Sequence, residues 1–176
     1  IVNDTLKHYG YRPFNFSYFR KNFGTSIEQD AKENYGGRNP EEIADFYDQR
    51  FKDKINKVKL FKEAIPALKT LKKRKIRLAL ITNSTKLITY SILKHFKIKE
   101  YFDAIVTCED VNHGKPAPDL AIEACRKLKV KPINSILIGD TKFDMIAGKR
   151  AGCVTVGYKV KGDYKIDRLA EIEKFI

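Results

Sequence analysis

A doubly wound, Rossmann-like α/β domain preceded by a small helical unit is the fold this sequence predicts, and three observations predict it. Up to residue 57 apolar groups recur at helical spacing and nothing reads as a strong strand. From residue 58 onward, short buried apolar runs alternate with amphipathic stretches of helix length. Strands separated by single helices of about 10 to 15 residues require crossover connections, and right-handed crossovers build a parallel sheet.

The elements follow in order. Thr5 to Tyr11, Phe16 to Phe23, Ile27 to Tyr35 and Glu41 to Ile55 carry helical spacing, as in Ile43, Phe46, Tyr47, Phe51 and Ile55. Gly36-Gly37 breaks the third helix from the fourth. Asn39 then serves as cap, Pro40 takes the first helical position, and Glu41 and Glu42 fill the first turn. Asp4 falls at a helix start, where an acid favours the positive dipole end. These helices form a unit at residues 1–57, a helical cap on an α/β core at residues 58–176. In the core a helix is expected at Phe61 to Arg74, a strand at Arg77 to Thr82 and a helix at Lys86 to Phe96. A strand at Ala104 to Thr107, a helix at Pro118 to Leu128 and a strand at Ser135 to Ile138 come next. A helix at Phe143 to Ala151 and a strand at Val154 to Val156 complete the pattern.

A chain of 176 residues with 43% apolar residues can bury one good core. Its longest apolar run is far shorter than the roughly 20 residues a membrane helix needs, and Ile1-Val2-Asn3-Asp4 has no signal-peptide character, so no membrane partner is expected. Three widely spaced cysteines, Cys108, Cys125 and Cys153, suit buried thiols in a reducing cytoplasm. The net charge of +13 formally favours polyanions. The lysines are dispersed, however, and the densest cluster, Lys69 to Lys75, sits at a helix end without interleaved aromatics. A solvated, dipole-complementing helix end is therefore expected there, and nucleic acid is not. Oligomeric state is undetermined.

The chemistry concentrates at three segments near strand ends, the side of an open parallel sheet where ligands bind. In Ile136-Leu137-Ile138-Gly139-Asp140-Thr141-Lys142-Phe143-Asp144 an apolar strand ends in two carboxylates bracketing a turn. Asp140 and Asp144 are hard oxygen donors suited to Mg²⁺, which takes few protein carboxylates and keeps water or phosphate oxygens. Capping of the next helix is the alternative role for these acids. In Leu80-Ile81-Thr82-Asn83-Ser84-Thr85 hydroxyls, an amide and the N–H groups of a helix start could hold an oxyanion. In Gly114-Lys115-Pro116-Ala117-Pro118-Asp119 two prolines stiffen a loop whose one cation is Lys115.

Thr82, Lys115 and Asp140, in that order along one parallel sheet, resemble the motifs of the haloacid dehalogenase superfamily of phosphatases. The run Gly139-Asp140-Thr141-x-x-Asp144-x-x-x-Gly148-x-x-Ala151-Gly152, with Lys115-Pro116-x-Pro118-Asp119, is similar to the subgroup of phosphoglycolate phosphatase and β-phosphoglucomutase. The resemblance covers essentially the whole chain and implies a Mg²⁺-dependent phosphatase of a small phosphorylated metabolite, such as a phosphoglycolate-like compound or a sugar phosphate. Thr82 and Asn83 would then bind the phosphoryl group and Lys115 would neutralise it. Asp140 would ligate Mg²⁺, and Asp144 would ligate it or orient the site. Gly24 resembles the glycine of the cap's substrate loop, with Arg20 and Lys21 available to an anionic leaving group.

The family opens with an apolar strand ending in Asp-x-Asp-Gly-Thr, the source of its nucleophile and of the central strand of its sheet. No such motif occurs in these 176 residues. The expectation is a nucleophile upstream of Ile1, a chain inactive by itself, and a sheet without its central strand. A phosphomutase of the same chemistry, or a non-catalytic module binding a phosphorylated ligand or nucleic acid, are the alternatives.

Overall fold

The structure, a computed structural model, describes residues 1–176, with the side chains of Arg20 and Lys21 excepted. Four helices come first: α1 (Val2–His8), α2 (Phe16–Asn22), α3 (Ile27–Asn34) and α4 (Pro40–Lys52). Each start has a local cause. Asn15 and Ser26 cap α2 and α3 through side-chain oxygens, and Asn39 caps α4 with Pro40 at its first position. Asp4 lies in the first turn of α1 and pairs with Lys54, which ties the first helix to the end of α4. Leu6, Ile27, Ala31, Tyr35 and Ile43 form the buried core of this half, so α1, α3 and α4 present their apolar stripes to one another.

The second half alternates α5 (Ala64–Lys73), β1 (Ala79–Ile81), α6 (Lys86–His95), β2 (Ala104–Val106), α7 (Asp119–Leu128), β3 (Ile136–Gly139), α8 (Lys142–Ala151), β4 (Val154–Tyr158) and β5 (Tyr164–Ile166). Every strand pairing is parallel. The expected helix at Phe61 starts three residues late, at Ala64. Lys72 and Lys73 occupy the last turn of α5, as the dipole favours, and Arg74 pairs with Glu173 near the C-terminus. None of the helices is long and apolar enough to cross a membrane, among the described residues. Cys108, Cys125 and Cys153 are free thiols, and burial beside Cys125 pushes the Cys153 thiol up to about 12.

The strands form two groups, β1-β2 and β3-β4-β5, with no hydrogen-bonded strand joining β1 to β3 among the described residues. Leu80 and Ile81 of β1 and Ile138 of β3 border the same cavity, so each group presents an unpaired edge to a common slot. A run of backbone donors and acceptors without partners is costly when buried and is a template for another strand when open.

Strand β5 and the 3-10 helix at Leu169–Phe175 were not expected from the sequence pattern. Only five residues separate β4 from β5, too few for a helical crossover, and the return is made by a tight loop. An added Cβ at Gly162 would lie 2.8 Å from Met145 Sδ and 2.9 Å from the Thr155 carbonyl oxygen, so the backbone itself fills that space. Asp163 then fastens the loop to β4: its Oδ2 accepts hydrogen bonds from Thr155 N–H at 2.9 Å and Thr155 Oγ1 at 2.7 Å, and Lys149 Nζ lies 3.1 Å from Oδ1. The Thr155 hydroxyl, the Thr155 N–H and Lys149 hold the Asp163 carboxyl down at about 2, from its ordinary 3.8. A carboxyl depressed by folding stabilises above its unfolded value and loses that contribution as pH falls through the folded one. The stability gap between the native chain and Asp163→Asn should therefore be full at pH 6 and close between about pH 4 and 2, measured by urea unfolding across that range.

Candidate active site

In strand β3 Leu137 packs with Ala121 and Cys125 of α7 and Met145 of α8, Ile138 borders the cavity, and the strand stops where Gly139 leads into the aspartates. Thr141 caps α8, its Oγ1 accepting from Asp144 N–H at 3.2 Å, while Asp144 Oδ2 accepts from Thr141 N–H at 2.9 Å and Thr141 Oγ1 at 2.5 Å. This reciprocal capping box uses one oxygen of Asp144. The other, Oδ1, accepts from Lys115 Nζ at 2.7 Å. Both partners are enclosed, with side chains only 12% and 7% exposed. Asp144 is thus a helix-capping acid whose second oxygen holds the cation of the neighbouring loop, and both oxygens expected to be open to Mg²⁺ have protein partners. Asp140 is different. It is exposed, it borders the cavity, and its carboxylate has no hydrogen bond or ion pair among the described residues.

Asp144 occupies the place a side chain on Gly139 would take. A Cβ on Gly139 would stand 2.3 Å from Asp144 Cβ and 2.4 Å from its Cγ, so glycine alone lets the capping acid fold back over the strand end.

Thr82 follows β1 and continues its pairing through N–H to the Val106 carbonyl at 3.0 Å. Its Oγ1 accepts from Ser84 N–H at 3.0 Å, which leaves the hydroxyl proton available to an acceptor. The Asn83 N–H has no hydrogen-bond partner among the described residues. The side-chain amide of Asn83 is engaged within the protein and not turned to an oxyanion as expected. Its Oδ1 accepts from Lys115 N–H at 2.7 Å, and its Nδ2 donates to the carbonyls of Lys115 at 2.9 Å and Gly24 at 3.0 Å. One amide therefore joins three segments: the end of β1, the Lys115 loop and the helical half.

Gly24 lies at that seam with φ 97°, a conformation L side chains rarely adopt, and an added Cβ would reach to 3.0 Å of Thr141 Cγ2. The helical half touches the core again where Thr85, the cap of α6, donates its hydroxyl to Asp48 Oδ1 at 2.5 Å. Burial pushes the Asp48 carboxyl above the ordinary carboxylate range, against the pull of that hydrogen bond.

Thr82, Asn83, Lys115, Asp140, Asp144 and Gly24 all border one cavity of about 550 Å³, which also takes in the slot between β1 and β3. Arg20 and Lys21, the remaining residues singled out in the sequence, have side chains outside the described residues. Two features had no signature in the sequence: the bridging made by the amide of Asn83, a residue expected to hold the phosphoryl group, and the carboxyl of Asp30, which also borders the cavity. Neither could be inferred from spacing, because each is defined by segments distant along the chain.

Fold and site together define a parallel α/β protein whose strand ends converge a hydroxyl donor, an enclosed lysine and a free carboxylate on one crevice. The chain belongs to the haloacid dehalogenase-like hydrolase family, whose sequence profile matches residues 1–158. It is 31% identical over 159 residues to a Clostridium perfringens protein provisionally named pyrophosphatase PpaX, a match covering 80% of this chain and 74% of that one. Over 126 residues it is 28% identical to pyrophosphatase PpaX of Bacillus cereus, covering 65% of this chain and 58% of the relative. In three dimensions it is similar to a hydrolase from Pseudomonas syringae, with a TM-score of 0.86 and 21% identity, over 99% of this chain and 87% of that one.

Proposed function

We propose that the protein is a Mg²⁺-dependent phosphatase of small phosphorylated metabolites. The observation that carries this reading is the convergence of Thr82, Lys115 and Asp140 on one cavity at the ends of β1 and β3. Phosphoryl transfer depends above all on positioning and charge compensation, and these residues supply both. The Thr82 hydroxyl proton and the Asn83 N–H donate to phosphoryl oxygens. Lys115, held by Asp144, offers its remaining protons to the same anion and neutralises part of its charge. Asp144, with both oxygens engaged, positions Lys115.

The donor set fits Mg²⁺, since Asp140 is a free, exposed, hard carboxylate and this ion needs one or two such groups beside water and phosphate oxygens. Asp140 would hold the ion, which when bound polarises the phosphoryl oxygens. Among the described residues Asp140 is the carboxylate free for the ion, and no cluster of three or more His, Cys, Asp or Glu stands beside it. Our reading is that a strand upstream of Ile1 enters the slot between β1 and β3, pairs with both free edges and brings the aspartate that becomes phosphorylated; the chain of residues 1–176 is then inactive alone. Residues 1–57 act as the cap over the crevice, with Gly24 at the seam and Arg20 and Lys21 beside the substrate loop. Three free thiols suit a reducing compartment, and a cytoplasmic location is part of this reading.

The test is hydrolysis of p-nitrophenyl phosphate by the protein encoded by the whole gene. Turnover should be abolished by EDTA, restored by Mg²⁺, and reduced at least about a thousandfold in Asp140→Ala. Turnover indifferent to EDTA, or none at all, would count against the assignment.

A further inference from the structure

The cavity that receives the phosphoryl group also runs into the helical half, where one acidic side chain faces it without a task in the chemistry above. Asp30 sits in the middle of α3 and borders that cavity together with Thr25 and Asn34. Its Oδ1 is fixed from two sides, accepting from Thr25 Oγ1 at 2.6 Å and from Asn34 Nδ2 at 3.2 Å. Its Oδ2 accepts nothing among the described residues, and it is not sealed in the protein interior. Around it the wall is aromatic and aliphatic, with Phe23 and Tyr47 among its members. A carboxyl clamped by one oxygen and open at the other is a hydrogen-bond acceptor held ready for a donor.

We infer that Asp30 selects the leaving group, accepting a hydrogen bond from a hydroxyl of a neutral, polyol-like phosphate monoester and disfavouring a leaving group that carries its own carboxylate or phosphate. The inference rests on the phosphatase reading and narrows it to one substrate class. Two arguments support the hydroxyl. The free oxygen of Asp30 would stand against a second anion placed there, and the half-burial that raises this carboxyl above the ordinary range despite the hydrogen bonds from Thr25 and Asn34 weakens solvent screening of that repulsion. An oriented acceptor discriminates between a ligand that supplies its hydrogen bond and one that does not, because a bound ligand that covers Oδ2 without a donor strips it of water and returns nothing. The aromatic wall would accommodate the carbon skeleton between the hydroxyl and the ester oxygen.

The experiment compares glycerol 1-phosphate, 2-phosphoglycolate and inorganic pyrophosphate as substrates of the whole protein, beside p-nitrophenyl phosphate. For the native protein kcat/KM on glycerol 1-phosphate should exceed that on the two anionic leaving groups by at least about tenfold. In Asp30→Asn the acceptor Oδ2 becomes a donor of the same shape, and that ratio should fall by about tenfold or more. Folding is checked independently, since removing an ionised group that burial disfavours should leave Tm no lower at pH 7. A native preference for 2-phosphoglycolate or pyrophosphate overturns the inference without any variant, and so does an unchanged ratio in a folded Asp30→Asn. Absence of p-nitrophenyl phosphate turnover by the native protein would instead remove the phosphatase reading on which it stands.

Discussion

Replacing Lys115 by methionine should destabilise the protein by about 3 kcal/mol and lower kcat of the whole enzyme by at least a factor of about a thousand. The stability loss arises on Asp144, not on the lysine. Its side chain is 7% exposed, and its Oδ1 has Lys115 Nζ at 2.7 Å as its hydrogen-bond donor. Removing the cation leaves a buried carboxylate half compensated, which costs far more than a surface pair would. Methionine retains most of the aliphatic stem, so lost packing contributes little. The double variant Lys115→Met/Asp144→Asn should recover much of the stability, because no unpaired charge remains, and none of the activity. Urea unfolding and p-nitrophenyl phosphate kinetics on the four proteins of this cycle check both halves. A single variant as stable as the native protein would show that the pair does not hold this loop.

The second large effect is expected from one added methyl group. Gly139→Ala places a Cβ 2.3 Å from Asp144 Cβ, and Asp144 cannot swing aside without breaking the capping box with Thr141 and the contact to Lys115. Helix α8 must shift, or Asp144 must leave its position. Overpacking of this kind costs about 2 kcal/mol, and a displacement near 1 Å at a catalytic group can cost about a hundredfold in rate. Gly152 supplies the contrast. It ends α8 with φ 84° and open space around it, so Gly152→Ala should cost about 1 kcal/mol of backbone strain and leave kcat within twofold or so. Equal kinetic losses in the two variants would mean that general destabilisation, and not the register of Asp144, sets the rate.

The elements whose signals are local were legible in advance. Asn39, Pro40, Glu41 and Glu42 start α4 where expected, because capping, a fixed φ and first-turn acids act within a few residues. Strands β1, β2 and β3 came out as short apolar runs between helices, the pattern parallel sheets favour, although of their residues only Ala104, Val106 and Leu137 are fully buried here. Strand β5 did not, because Tyr164 and Lys165 are exposed and the pairing depends on Asp163 and Thr155 drawing a tight loop back onto β4.

At the site the same division holds. The sequence by itself determined the order of hydroxyl, lysine and aspartate along the chain and the strand ends that carry them, because periodicity and turn chemistry are written in neighbouring residues. Only the tertiary structure decided that Asp144 divides its two oxygens between Thr141 and Lys115, that Asn83 binds the Gly24 and Lys115 carbonyls with one amide, and that Asp30 opens onto the same cavity as Thr82. Those contacts join positions tens of residues apart. Their existence depends on the packing of whole elements against one another, which no window of sequence contains.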